Sequence, residues 1–327
     1  FGYAMTGGDF NADGKIDFAV GAWGGFSDST SRVYIFYNDG GYPALADSAD
    51  AIIVRNSGYF GDVLTAGDVN ADGKTDLVVG ARNESKVYIY YNDGSYPSSA
   101  TSADVTITGL QPSSMETGDL NADGRVDLIM GDQVNSTNTG KAYIFYNDGS
   151  IPTTAGTADV TITGETTNTY FGSSIATGDL NSDGTIDLAV GASTAGVSTG
   201  KVFIFYNDGS IPTTAATADV TITGDAAKPG FGNKIATGDL NADSKTDLAV
   251  GADVNSFGAF YIFYNDGSIP TTAATADVTI TSTVASSGFG KTFAIADYNS
   301  DGRVDIGVGS LNVDRVYIFY NDGSYGS

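Results

Sequence analysis

Hydrophobic and polar positions alternate along this chain in a way that predicts β-strands and no helices. Short runs of Val, Ile, Phe and Tyr are separated by segments rich in Asn, Asp and Gly, which are turn formers. Between residues 165 and 224 this pattern predicts four strands, at 171–177, 187–192, 201–206 and 219–223. No segment has the period of about 3.6 residues that is typical of an amphipathic helix.

The four strands differ in polarity. The second and third are apolar on both faces, which is expected of a strand covered by other sheets on both sides. The fourth alternates between apolar and polar residues, as an outer strand does. Each unit therefore reads as an antiparallel sheet with a buried inner part and a solvated outer edge.

The pattern repeats six times, because variants of the segment GDLNADG recur along the whole chain. Six copies of a unit of about 60 residues indicate a closed ring or a solenoid. We predict an all-β fold, a β-propeller of six blades with mostly four antiparallel strands each, in which residues 1–327 form a single domain. The units are residues 1–55, 56–109, 110–164, 165–224, 225–282 and 283–327. A flat β-solenoid is the alternative, although its repeats are usually much shorter.

The last unit differs from the others at its end. Its third strand is predicted at Val316–Tyr320, and no fourth strand follows, whereas the five other units have one near Ile52, Val105, Val160, Val220 and Val278. We therefore expect an uncovered apolar edge in the sixth blade, which invites strand addition from another chain. Either the chain is a fragment, as its opening at Phe1 inside a repeat motif also suggests, or a neighbouring molecule donates the strand.

Every unit contains the acidic motif D-x-N-x-D-G-x-x-D. The side chains with oxygen ligands are Asp9, Asn11, Asp13 and Asp17; Asp68, Asn70, Asp72 and Asp76; Asp119, Asn121, Asp123 and Asp127; Asp179, Asn181, Asp183 and Asp187; Asp239, Asn241, Asp243 and Asp247; and Asp297, Asn299, Asp301 and Asp305. The seventh position offers a backbone carbonyl, at Lys15, Lys74, Arg125, Thr185, Lys245 and Arg303.

Such a set of oxygen ligands predicts calcium. Alternate residues of a tight loop turn their side chains inward, and an all-oxygen cage suits Ca²⁺ better than zinc or copper. A plain hairpin turn is the simpler alternative, but a turn does not need three carboxylates that repel each other unless a cation neutralises them. We expect up to six Ca²⁺ ions, one per repeat, with a mainly structural role. An EF-hand is excluded because the flanks are strands and Val20 stands at the twelfth position of the first loop, where an EF-hand has Glu.

These residues resemble a known family. The unit FG…TGDLNSDGTIDLAVGA…GKVFIFYN is similar to the FG-GAP repeat of the integrin α-subunit propeller and its bacterial and fungal relatives, over essentially the whole chain. Phe-Gly pairs begin at Phe1, Phe60, Phe171, Phe231 and Phe289. The resemblance implies a calcium-binding β-propeller that acts as an adhesive or ligand-binding module.

The chain departs from the family pattern in three respects. Gln111-Pro112 replaces Phe-Gly in the third unit, and the Pro of Gly-Ala-Pro is absent throughout. Ser244 replaces the loop Gly of the fifth unit, so we expect that loop to be the weakest or most distorted site. Integrin propellers have seven blades, whereas this chain has six units.

Composition narrows the functional classes. The chain has 15 Lys and Arg against 39 Asp and Glu, a net charge of −24, which argues against nucleic acid as a partner. No apolar run is long enough to span a membrane. Cys and His are both absent, which removes disulfides, thiol chemistry and most mechanisms that use a general base. The segment 196–200 fits G-x-S-x-G in letters, but it lies between strands and has no His partner.

The sequence thus predicts an extracellular or cell-surface, calcium-binding and non-enzymatic structural or adhesive module. Its expected partners are other copies of itself or a surface protein or glycan, and the open edge of the last blade suggests assembly into a filament or surface layer. A carbohydrate-binding lectin and an integrin-like propeller that binds a protein ligand are the alternatives.

Overall fold

The computed structural model describes residues 1–24, 30–56, 59–194, 199–252, 258–284, 287–322 and 325. In these residues the chain forms 23 strands. The first three blades contain β1 (Met5–Gly8), β2 (Asp17–Ala22), β3 (Ser31–Phe36) and β4 (Ala51–Arg55); β5 (Phe60–Gly67), β6 (Asp76–Ala81), β7 (Lys86–Tyr90) and β8 (Val105–Thr108); and β9 (Ser114–Gly118), β10 (Asp127–Asp132), β11 (Lys141–Phe145) and β12 (Val160–Thr163).

The remaining blades follow the same plan. They contain β13 (Phe171–Gly178), β14 (Asp187–Ala192), β15 (Lys201–Phe205) and β16 (Val220–Thr223); β17 (Phe231–Gly238), β18 (Asp247–Ala252), β19 (Ala259–Phe263) and β20 (Val278–Thr281); and β21 (Phe289–Ala296), β22 (Asp305–Ser310) and β23 (Arg315–Phe319). Each sheet follows the order of its strands in the chain, so the prediction of a six-blade β-propeller whose last blade has three strands is confirmed.

Helical structure is limited to single turns. The 3₁₀ turns are Ala46–Ser48, Arg82–Glu84, Ala100–Ser102, Ala155–Thr157, Ala215–Thr217, Ala273–Thr275 and Leu311–Val313. A further four-residue turn, Asn135–Asn138, has a left-handed backbone at Ser136, Thr137 and Asn138. No helix in the described part of the chain is long and apolar enough to cross a membrane.

The backbone divides into two compact units. One comprises Phe1–Asp119, Asp123–Asp132 and Tyr143–Val160, and the other comprises Leu120–Ala122, Gln133–Ala142 and Thr161–Ser327. The single domain over residues 1–327 therefore stays a prediction.

Inside each of the two compact units the core lies between neighbouring sheets. In the first unit, Val33 of β3 and Leu77 of β6 belong to one buried cluster, which also contains Phe60. In the second unit, Val202 of β15 and Val250 of β18 share a cluster in the same way. Strands that are apolar on both faces are thus explained by burial against a sheet on either side.

The Phe-Gly pair and the Gly-Ala pair meet where consecutive blades come closest. Gly61 has φ +81°, a left-handed conformation that favours glycine. Its carbonyl oxygen approaches Gly21 of the preceding blade so closely that a Cβ at Gly21 would overlap it. Phe60 is fully buried and packs edge-on against Tyr88, with ring centroids 5.6 Å apart. The same approach recurs at Gly191 with Gly232.

The outer strands also join neighbouring blades. The N–H of Val54 at the end of β4 donates to the Ser98 carbonyl of the next blade at 3.0 Å, and Thr108 donates to Thr153 in the same way at 3.0 Å. In the second unit Thr223 donates to Thr271 at 2.9 Å. These outer strands are therefore tied to the loop that precedes the following blade's 3₁₀ turn.

Candidate metal centres

The acidic loops connect the first and second strand of every blade, and their backbone N–H groups hold the side chains in place. In the first loop Asp9 accepts hydrogen bonds from the N–H groups of Asp13 at 2.9 Å and Gly14 at 2.8 Å. Asn11 accepts from Asp13 at 3.0 Å, and Asp13 accepts from Lys15 at 2.9 Å. The first, third and fifth side chains of the motif are therefore folded into the loop, as the motif predicts.

This network is repeated in the other loops. The bonds from the fifth and sixth N–H groups to the first Asp are present in all six loops, at Asp9, Asp68, Asp119, Asp179, Asp239 and Asp297. All six loops therefore share one hydrogen-bonded conformation, which a set of unrelated turns does not.

The backbone is left-handed at the fourth position of each loop, as it is at the sixth. Ala12, Ala71, Ala122, Ser182, Ala242 and Ser300 have φ between +57° and +63°. A left-handed backbone costs a residue with a Cβ about 1 kcal/mol, so each loop stores local strain. Such strain is typical of loops shaped for a ligand. The sequence did not predict it, because Ala gives no signal for this conformation.

The ninth position of the motif supplies a buried carboxylate at the start of the second strand. Asp17, Asp76, Asp127, Asp187, Asp247 and Asp305 are all fully buried. In the second blade one oxygen of Asp76 accepts from the N–H of Val69 at 3.0 Å, and the other accepts from the N–H of Asn92 at 2.8 Å. The ninth Asp therefore anchors both the loop and the turn after the third strand.

Burial raises the pKa of Asp76 to about 7, although the N–H of Asn92 opposes that shift. The charges of Asp72 and Asp68 raise it further, which shows that the three carboxylates of this loop lie close enough to repel each other. Burial likewise raises the pKa of Asp187 and of Asp247 to about 6. A cation between the carboxylates would remove this repulsion.

The donor set fits Ca²⁺ in its chemistry, since it consists of carboxylate, amide and carbonyl oxygens. In this conformation, however, no group of three or more acidic residues among those the structure describes is arranged as a metal site. The carboxylate oxygens are turned toward backbone N–H groups instead.

The fifth loop is not distorted. Ser244 adopts φ +70°, and its N–H donates to Asp239 at 2.9 Å, as Gly14 does to Asp9 in the first loop. The expectation of a distorted loop is wrong because the hydrogen bonds of Asp239 and Asp243 hold the backbone in the common shape. A weaker fifth site stays a prediction.

We expect Ser244→Gly to raise the free energy of unfolding by about 1 kcal/mol, since glycine adopts the left-handed conformation without the cost of a Cβ. Denaturant unfolding measures this difference. The matched control is Gly184→Ser in the fourth loop, which should lower stability by a similar amount. A loss of stability in Ser244→Gly would contradict the shared loop conformation.

The Tyr-Asn-Asp-Gly turn contributes a residue that the sequence motif did not identify as part of the site. In each blade the N–H of its Asn donates to the ninth Asp, from Asn38, Asn92, Asn147, Asn207, Asn265 and Asn321 at 2.7 to 2.8 Å. A hairpin turn tolerates several residue types at this position. The presence of Asn in all six turns was the signal for a further role.

The opposite end of the sheets carries a group of aromatic residues that contact one another. Trp23 stacks on Tyr59 with centroids 4.6 Å apart, and Tyr3 lies edge-on to Trp23 at 5.6 Å. Residues 196–198 of the G-x-S-x-G match lie outside the described residues.

The fold and the loops define a class of protein, a β-propeller built from repeats with an acidic loop between the first two strands. The model of the FG-GAP-like repeat matches residues 9–79, 68–130 and 119–190, and that of the FG-GAP repeat matches residues 231–263. The chain belongs to the FG-GAP repeat family.

Several curated proteins are similar to the chain. Integrin alpha-PS2 of Drosophila melanogaster is 28% identical over 68% of this chain, and integrin alpha-5 of Xenopus laevis is 28% identical over 77%. Phosphatidylinositol-glycan-specific phospholipase D of Mus musculus is 36% identical over 39% of this chain. The matched regions span only 17 to 20% of the length of these relatives. The chain is thus related to integrin α subunits, and a phospholipase D is also among its relatives.

Proposed function

We propose that this protein is an extracellular calcium-binding propeller that acts as a non-enzymatic structural or adhesive module. In each blade the side chains at positions one, three, five and nine of the acidic loop, with the carbonyl at position seven, would hold one Ca²⁺ ion. Bound calcium would clamp the first two strands of the blade together by neutralising the carboxylates.

The observation that carries this proposal is the repetition of one strained, hydrogen-bonded loop with three carboxylates in all six blades. Burial is the main cause of the raised pKa of Asp76, and the nearby charges of Asp72 and Asp68 raise it further, which a bound cation would oppose. Integrin α relatives agree with a place at the cell surface and with a ligand-binding role.

The proposal includes association between copies of the protein through the sixth blade. On β23, Val316 is 71% exposed and Ile318 is 47% exposed. The corresponding residues of β19, Phe260 and Ile262, are fully buried in a cluster with Phe289 and Ile306 of the next blade, and β19 pairs with the outer strand β20. Among the described residues β23 pairs with no outer strand, whereas the third strand of each of the other blades does.

The outer strand of the five complete blades makes two characteristic hydrogen bonds to the third strand and the turn after it. In five blades an Asp precedes the outer strand and accepts a hydrogen bond from the Tyr N–H that follows the third strand, as Asp277 does from Tyr264 at 2.8 Å. Its own N–H donates to the third strand, as Asp277 does to Ile262 at 3.0 Å. A strand of the Asp-Val-Thr-Ile-Thr type from another copy would supply both groups to Tyr320 and Ile318.

We expect Ile318→Lys to reduce self-association by at least about tenfold, because a charge on this face would be desolvated in the assembly. Sedimentation velocity over a range of concentrations measures the effect. Thr279→Lys, on the exposed outer strand of the complete fifth blade, is the matched control and should leave association unchanged. An unsubstituted protein that stays monomeric at all concentrations would contradict the proposal.

A second candidate function is ligand binding at the end of the sheets opposite the acidic loops. The described loops between the second and third strands differ in length there, as residues 82–85 and 133–140 do, whereas the acidic loops are uniform. The Trp23–Tyr59 pair, with the 54% exposed Tyr3, favours a flat ligand such as a sugar at this end. Glycan-array binding that is lost in Trp23→Ala would support this role.

A further inference from the structure

The Asn side chain of the Tyr-Asn-Asp-Gly turn reaches from one blade to the acidic loop of the blade before it. Its Nδ2 donates to a loop carbonyl from Asn92 to Asp9 at 3.1 Å, from Asn147 to Asp68 at 3.4 Å, from Asn265 to Asp179 at 3.3 Å and from Asn321 to Leu240 at 3.0 Å. These four side chains are at most 2% exposed. The contact is therefore a built feature of the packed blades.

The acceptor in the first loop belongs to a peptide group that is held at both ends. The carbonyl of Asp9 accepts from Asn92, while the N–H of the same peptide, on Phe10, donates to Asp17 at 2.9 Å. Hydrogen bonds in such a chain polarise and strengthen one another. The first and ninth carboxylates of the loop are thus linked through one peptide whose orientation the next blade fixes.

The arrangement recurs in the fourth loop. There the Asp179 carbonyl accepts from Asn265, and the N–H of Leu180 donates to Asp187 at 2.8 Å. The main chain of Asn265 meanwhile donates to Asp247 of its own blade at 2.8 Å. One Asn therefore contacts two acidic loops, with its backbone on its own loop and its side chain on the preceding one.

We propose that this Asn is a positioning residue for calcium binding in the preceding blade. By fixing the peptide between the first and second loop positions, as Asn92, Asn147 and Asn265 do, it holds the first Asp and the ninth Asp in the relative placement that the ion needs. The inference rests on the proposed calcium binding. Under this proposal, each calcium site depends on the packing of the blade that follows it in the chain.

The chain contains its own control. Asn38 lies in the same Tyr-Asn-Asp-Gly turn, and its N–H donates to Asp17 at 2.7 Å. Its side chain is only half-buried and donates no hydrogen bond to any residue that the structure describes. Asn38 thus has the backbone role of the turn without the side-chain role.

The experiment compares Asn92→Ala with Asn38→Ala by calcium titration followed through thermal unfolding and through hydrogen exchange of residues 9–17. Loss of an outer partner of a metal ligand typically costs about tenfold in affinity. We expect Asn92→Ala to weaken the first site by that factor and to lower stability more in calcium than in chelator. Asn38→Ala should leave calcium affinity as it is.

A double-mutant cycle separates this role from a purely structural one. Once Asp13→Asn has disabled the first loop, Asn92→Ala should cause no further loss of calcium-dependent stability. Equal losses with and without calcium, or an equal effect of Asn38→Ala, would overturn the inference. Asn265→Ala with Asp183→Asn repeats the cycle in the fourth loop in case Asn92→Ala does not fold. If calcium fails to stabilise even the unsubstituted protein, the proposed function fails first, which is a distinguishable result.

Discussion

Removal of calcium by a chelator is expected to lower the thermal midpoint of this protein by about 10 °C or more. A site that is filled at 100 times its dissociation constant contributes about 2.7 kcal/mol, and several such sites act on one cooperative fold. The ion also lowers the repulsion within a chain of net charge −24. Differential scanning calorimetry with calcium and with chelator measures the shift.

Two controls distinguish specific binding from general screening of charge. Sodium chloride at matched ionic strength should restore only a small part of the lost stability, because screening acts mainly on exposed charges. Asp183→Asn should reduce the calcium-dependent part of the stability by about one site's share, with a smaller loss in chelator, where only the hydrogen bonds from Thr185 and Asn181 to the carboxylate are affected. A midpoint that does not change with chelator would mean that the six loops are only turns.

The sequence predicted the strands well because their boundaries are set by local chemistry. The third strand of the fourth blade ends at Phe205, one residue before the predicted end, where the turn residues Asn207 and Gly209 begin the reversal. The 3₁₀ turn Ala215–Thr217 was not predicted. It depends on Thr214, whose hydroxyl accepts from the N–H of Ala216, and no hydrophobic period marks it.

The acidic loops were predicted in the same local way, since the oxygen-bearing side chains and the backbone N–H groups that hold them lie within one motif of nine residues. The partner of the Asn92 side chain could not be predicted, because Asp9 lies 83 residues away and meets it only when two blades pack. The three-stranded last blade was predicted from a missing fourth strand, and the sheet order β21-β22-β23 confirms it. Contacts inside a repeat can thus be predicted from the sequence of one copy, whereas contacts between repeats can be identified only in the folded protein.

Substitution of the glycine of the Gly-Ala pair is expected to have a large effect on stability, because this glycine lies where two neighbouring blades contact each other. Neither Gly21 nor Gly80 has a positive φ, so the backbone at both positions accepts alanine. At Gly21 a Cβ would overlap the backbone carbonyl of Gly61, which cannot move without separating two sheets. At Gly80 the following blade has Pro112 in place of the Phe-Gly glycine, and the nearest atoms are side-chain carbons, Pro112 Cγ at 3.1 Å and Val63 Cβ at 3.2 Å.

We therefore expect Gly21→Ala to lower the free energy of unfolding by about 3 kcal/mol or more, and Gly80→Ala by about 1 kcal/mol. Both substitutions reduce the entropy of the unfolded chain to the same extent, so the difference between them isolates the overlap with the Gly61 carbonyl. Denaturant unfolding of the two variants in saturating calcium measures it. Equal losses would show that the close approach of Gly61 to Gly21 does not hold the blades together, and that the motif glycine serves another purpose.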